Sequence, residues 1–126
     1  MEYAYLESIL SENSILLWNY ADENFEFNCN LKEEFGIDSK IVSYTDFVEL
    51  LSWEYCNDFI LGFNEFLKHK KENFKQNFLL KRKNNSFEFF RFTAKNVRGK
   101  IRGFIENINN FKEKILNYDL INKYSS

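Results

Sequence analysis

The sequence predicts an α+β domain built on a five-stranded antiparallel sheet, and three features of the 126-residue chain carry that prediction. The last third holds three strand-like runs joined by two tight polar turns. Two shorter apolar runs, between residues 15 and 28, supply two more strands. Between these groups, apolar residues recur at helical spacing. Two strands, then three, with helices between them, make one sheet with helices on one face.

The elements follow in order. Glu2–Asn13 is amphipathic, with Tyr3, Leu6, Ile9 and Leu10 at helical spacing. Ile15–Tyr20 (ILLWNY) reads as a short buried strand, Ala21–Asn24 as a turn and Phe25–Asn28 as a second strand. Asn30 reads as a helix N-cap, with Glu33 three residues on to complete a capping box. Leu31 and Phe35 share a face of that helix, and Gly36 ends it. Thr45–Leu51 is expected to form one or two helical turns. Glu54–Lys71 is the longest helix, with Tyr55, Phe59, Phe63, Phe66 and Leu67 as its buried stripe. Lys68, His69, Lys70 and Lys71 fall in its last turn, where cations favour the helix dipole. Asn73–Lys83 is a strand ended by Asn84-Asn85, Ser86–Lys95 a strand ended by Asn96–Gly99, and Lys100–Ile108 closes the meander. Asn and Gly tolerate the left-handed backbone that such turns need. Asn109–Tyr124 is a final amphipathic helix, with Phe111, Ile115 and Tyr118 on one face.

The last three strands are apolar on both faces. In Ser86–Lys95, Phe87 and Phe89 point one way while Phe90, Phe92 and Ala94 point the other. An antiparallel sheet usually leaves one face wet. Here the middle helices cover one face, and the other calls for the terminal helices or a partner subunit. With 15 Phe, 7 Tyr and 2 Trp, the core is built largely from rings. The absence of Pro, and only 4 Gly, argue against a flexible linker inside the chain. A net charge of -2 gives no electrostatic case for nucleic acid or an anionic membrane. No run approaches the roughly 18 apolar residues of a membrane span. Cys29 and Cys56, isolated and without an export signal before them, suit a reducing cytoplasm.

Several stretches together resemble a PAS domain of the PAS/PAC sensory-box type. Leu17–Asn28 (LWNYADENFEFN) looks like the family's opening strand, turn and strand. Asn30–Ile37 (NLKEEFGI) looks like its following helix, and Ser52–Tyr55 (SWEY) falls where the family often has His-Pro-Glu-Asp, of which Glu54 survives. Phe74–Ser86 resembles the strand and turn in which the family has Asp-Gly, here Asn84-Asn85. Gly99–Ile108 (GKIRGFIENI) resembles the closing Gly-Lys-x-x-x-Gly-x-x-x-Asp-Ile-Thr, with Asn107-Ile108-Asn109 at the last three positions. The resemblance covers roughly Leu6 to Phe111. It implies a PAS-like sheet with short helices and one long helix on one face, flanked by N- and C-terminal amphipathic helices. The implied division is an N-terminal helix (1–13), a sensor domain (14–109) and a linker helix (110–126) to an output domain.

What the resemblance implies for function is a cytoplasmic sensory or dimerisation module without catalysis of its own. Its parent would be a histidine kinase or diguanylate cyclase, and Asn117–Lys123 is faintly like the entry of a diguanylate cyclase domain. A signal would pass through Asn107, Ile108 and Asn109 into the last helix. A small-molecule pocket between sheet and long helix would be lined by Trp18, Phe27, Phe59, Phe63, Phe78, Phe90 and Phe104, with Arg91 as its polar candidate. Arg91 alternatively sits at the outer rim of the sheet. Leu6, Ile9 and Leu10, with the outer sheet face, are candidates for a homodimer interface. The cofactor stays open. His69, on the long helix where haem-binding members often place a His, is expected to face water, and Asn28-Cys29 lies at the wrong place for covalent flavin chemistry. No metal-ligand or nucleophile spacing appears. The enzyme alternative is a small cone-shaped α+β isomerase or hydrolase, which would rest on Asp22, Asp46 or Arg91. A ligand-free interaction module is the other.

Overall fold

The computed structural model describes residues 15–109, so the helices expected at 2–13 and 110–126, with Leu6, Ile9 and Leu10, lie outside the described residues. Among the described residues nine elements follow one another: β1 (Ile15–Ala21), β2 (Asn24–Phe27), α1 (Lys32–Phe35), β3 (Ile41–Ser43), α2 (Tyr44–Leu50), α3 (Trp53–Lys68), β4 (Asn73–Lys81), β5 (Phe87–Val97) and β6 (Lys100–Asn107). All strand pairs are antiparallel, in the order β3-β2-β1-β6-β5-β4. The five expected strands are present. The sheet has a sixth, because Ile41–Ser43 adds to the edge of β2 through three register pairs.

Tight turns fix the registers. Asp22 and Glu23 both take positive φ, 53° and 62°, and so do Arg98 and Gly99, at 56° and 84°. Two consecutive left-handed residues give the turn whose twist matches a two-residue hairpin. At β4–β5, Asn85 has φ 67°, and the Asn84 side chain accepts from the Ser86 amide (3.1 Å) and hydroxyl (2.6 Å). The β5–β6 turn falls later than the Asn96–Gly99 pattern places it. Asn96 and Val97 continue the ladder opposite Ile101 and Lys100, and the Asn96 side chain accepts from the Gly99 amide at 2.9 Å.

The helix starts also differ from the sequence expectation. Asn30 Oδ1 accepts from the Lys32 amide (2.8 Å), but Leu31 is the capping residue and Glu33 completes no box. Gly36 does end α1, at φ 73°. The cap of α2 is Ser43, whose hydroxyl accepts from the Asp46 amide at 3.1 Å. Helix α3 stops at Lys68, leaving His69 as an exposed C-cap and Lys70 and Lys71 beyond it.

Alternation along the strands sorts the side chains. The inner face carries Trp18, Phe25, Phe27, Val42, Phe78, Leu80, Phe90, Phe92, Ala94 and Ile105, all buried in one cluster with Leu31, Phe35 and Phe47 and with Phe59, Phe63 and Phe66 of α3. The outer face carries Leu17, Arg91, Thr93, Lys95, Arg102, Phe104 and Glu106, as the cross-strand pairs Leu17–Phe104, Thr93–Phe104 and Arg91–Glu106 require. Phe104 and Arg91 therefore lie across the sheet from the other residues expected to line a pocket. Parity decides it: Arg91 stands between inward Phe90 and Phe92, and Phe104 between Gly103 and inward Ile105.

Candidate functional site

The space between the sheet and α3 is the first candidate. Trp18, Phe27, Phe59, Phe63, Phe78 and Phe90 meet there in a single core cluster. Their rings fill it. Phe92 stacks on Trp18 at 5.0 Å and meets Phe59 edge-on at 5.1 Å, while Phe59 stacks on Phe63 at 5.3 Å and meets Phe78 at 5.6 Å. Rings at these spacings are in van der Waals contact, so a planar ligand enters between them only by displacing one. Two polar groups of this interior, Trp18 Nε1 and the Tyr44 hydroxyl, are buried and without a hydrogen-bond partner.

Tyr44 packs flat against Phe59 and Phe63, and Tyr20 meets Phe63 edge-on at 5.3 Å. Burial pushes the Tyr44 phenol above its ordinary value of 10.0. Burial first, then the charges of Glu23 and Tyr44, does the same to Tyr20. Phenolate is thus disfavoured in the fold. The stability this gives is complete below pH 10 and is lost as pH rises through the folded values. Tyr44→Phe is expected to raise stability by about 1 kcal/mol, since it removes an unsatisfied buried hydroxyl. It is also expected to flatten the decline above pH 10. Urea titrations at neutral and alkaline pH measure both effects, and a loss of stability at neutral pH would refute the first.

A second candidate is an open cleft of about 420 Å³ between α1 and the β4–β5 hairpin, lined by Glu33, Glu34, Arg82, Lys83, Asn84 and Glu88. Arg82 organises it. Its guanidinium pairs with Glu34 at 2.7 Å and Glu88 at 3.4 Å, and lies over the rings of Phe90 and Phe35, 5.5 and 5.8 Å from their centroids. The Lys83 amide donates to the Glu34 carbonyl at 3.2 Å, so α1 is fastened to the hairpin. Sequence reasoning missed Arg82 because it sits where the apolar alternation of β4 ends and a turn begins. Its signal was the Arg82–Glu88 pairing across a two-Asn turn. Arg82→Ala is expected to cost about 1–2 kcal/mol, from lost stem packing and two half-buried ion pairs. Arg82→Lys should recover part of this, and chemical denaturation of the two variants measures the difference.

At the end of β6, the Ile108 amide donates to the Phe89 carbonyl (2.9 Å) and the Phe89 amide to Asn109 Oδ1 (3.4 Å). Asn107 Oδ1 accepts from the Asn109 amide at 2.9 Å. The three residues expected to transmit a signal thus tie the exit of β6 to β5. Arg91, half-exposed on the outer face, pairs with Glu106 at 3.2 Å. Cys56 Sγ lies 3.7 Å from the carbonyl oxygens of Val48, Leu51 and Ser52. Burial first, and then the Glu34 charge, pushes the Cys29 thiol up against an opposing Lys40. Asp22 and Asp46 are exposed. Among the described residues, no three His, Cys, Asp or Glu side chains gather as a metal site, and no helix is long and apolar enough to cross a membrane.

Two solved structures share this geometry. A sensory box histidine kinase/response regulator from Burkholderia thailandensis E264 superposes with a TM-score of 0.68 at 11% identity, over 94% of this chain and 95% of that one. The chain folds as a PAS-like domain. An RNA-binding light-oxygen-voltage receptor superposes with a TM-score of 0.65, also at 11% identity, over 89% of this chain. The PAS-like domain spans 33% of that receptor's chain. No protein-family model and no curated protein matches the sequence.

Proposed function

We propose that this PAS-like domain is a cytoplasmic, non-catalytic sensory and dimerisation module of a signal-transduction protein of the histidine kinase or diguanylate cyclase type. In this reading residues 14–109 are the sensor and 110–126 the linker to an output domain. The observation that carries it is the pairing of a ring-filled interior with a fastened β6 exit. Rings in mutual contact favour a signal read as a change of association over one read by a resident planar cofactor. The Asn107–Asn109 hydrogen bonds to β5 give such a change a route into the linker. The outer sheet face supports association, since Leu17 and Phe87 remain 37% and 47% exposed there.

Native mass spectrometry of the purified chain tests this. A dimer without added mass is the expected result. A stoichiometric adduct would replace association by ligand sensing, and a clean monomer at high concentration would overturn the dimer.

A further inference from the structure

The near-zero net charge hides a separation of charge between the two faces. Residues 41–67 carry five acids, Asp46, Glu49, Glu54, Asp58 and Glu65, and no Lys or Arg. Residues 73–102 carry nine Lys and Arg and one acid, Glu88. The first segment forms β3, α2 and all of α3 but its last residue, Lys68; the two helices cover the inner face of the sheet, and all five acids are exposed, with Glu65 paired to Lys71 at 3.3 Å. The second forms β4, β5 and the start of β6, which further on carries Glu106, the partner of Arg91. At its β5–β6 turn end Lys75, Lys95, Arg98, Lys100 and Arg102 are all exposed, and none makes an ion pair among the described residues.

Each face also sets like charges side by side. Lys95 and Arg102 stand directly opposite one another on neighbouring strands, a cross-strand pairing that costs stability. Glu54 and Asp58 stand at i,i+4 on α3, which likewise costs stability. The spacings correspond: about 5 Å between adjacent strands from Lys95 to Arg102, against about 6 Å from Glu54 to Asp58. Beside the acids, Trp53 and Leu61 are 82% and 67% exposed. An exposed indole is a platform for a guanidinium, and Arg98 and Arg102 supply guanidinium groups at the other surface.

The geometry points to a head-to-tail contact between copies of this chain. In it the acidic stripe of α3, with Trp53, docks on the Lys95–Arg102 end of the partner's sheet. The contact relieves both like-charge pairs at once. It is heterologous, so it builds a ring or an open chain instead of a two-fold dimer, and it is distinct from the dimer proposed above, which rests on apolar contact. Exposed charge pairs are individually weak, so the contact is low in affinity and strongly salt-dependent.

Sedimentation equilibrium of the full chain is the test, with the species present at about 0.5 M salt as the baseline, where charges beyond a few ångström are screened. At about 0.01 M salt the average mass should rise above that baseline with concentration, with an association constant larger by about tenfold or more. Lys95→Glu/Arg102→Glu should abolish the rise, and so should Glu54→Lys/Asp58→Lys. Mixing these two variants sets opposite charges against each other at both exchanged surfaces and should restore the rise. Circular dichroism confirms that each variant folds. A low-salt rise that survives either double variant, a mixture that stays at baseline, or a wild type without any rise overturns the inference. So does tighter capture of polyuridylate than of a second copy, since the basic end would then be a polyanion site. Failure here leaves the high-salt dimer untouched, so the two readings fall separately.

Discussion

Gly103→Ala is expected to destabilise the protein by about 3 kcal/mol or more, at or beyond the upper end of ordinary overpacking. Gly103 lies on β6, paired with Trp18 of β1 on one side and Ala94 of β5 on the other. A Cβ built there overlaps the Thr93 carbonyl oxygen and lies 2.7 Å from Trp18 Cζ2. The carbonyl belongs to the β5 backbone and cannot retreat without opening the β5–β6 ladder. The indole cannot retreat because it stacks on Phe92 and meets Phe25 edge-on at 5.1 Å. Gly99, four residues earlier, is the control. A Cβ there meets nothing within 4 Å, and the only penalty is its φ of 84°. Gly99→Ala should therefore cost about 1 kcal/mol, from backbone strain alone. Thermal melts of the two variants separate close packing from turn conformation, and equal losses would refute the argument for Gly103.

The same comparison shows what the sequence makes legible. Both glycines belong to the Gly-Lys-Ile-Arg-Gly run that resembles the PAS closing strand, yet the two positions need glycine for different reasons. Only cross-strand register, Trp18 against Gly103, reveals the second. Within one strand the sequence is a good guide: the alternation of Phe87 and Phe89 against Phe90, Phe92 and Ala94 is the sorting the sheet adopts. The same parity places Arg91 on the outer face, with its Glu106 partner. Phe104 escaped because a lone aromatic on β6 carries no alternation of its own. Strand β3 escaped for a related reason. Three residues are too few to show a period, and Ser43 serves both as its last residue and as the cap of α2. The Arg82 cleft joins α1 to a hairpin nearly fifty positions later, a proximity no local pattern encodes. Charge segregation was present in the sequence throughout but is invisible in a net value of -2.

Phe92→Ala is expected to cost about 4–5 kcal/mol, the upper range for deleting a buried ring. Phe92 is fully buried, and its ring meets those of Trp18, Phe25, Phe47, Phe59, Phe63, Phe74 and Phe78 at centroid distances from 5.0 to 6.1 Å. These neighbours come from β1, β2, α2, α3 and β4, so no single element can move inward to close the gap. A domain of this size is commonly stable by about 5–15 kcal/mol, so the variant stands close to the threshold of folding. Phe92→Leu keeps most of the volume and should lose much less, about 1–2 kcal/mol. The cavity left by alanine would be apolar and dry, the kind that takes up a small aromatic molecule. Benzene is therefore expected to raise the melting temperature of Phe92→Ala while leaving the wild type unchanged. A wild type equally stabilised by benzene would mean that the ring cluster already holds room for a ligand. That result would turn the functional reading from association towards chemical sensing.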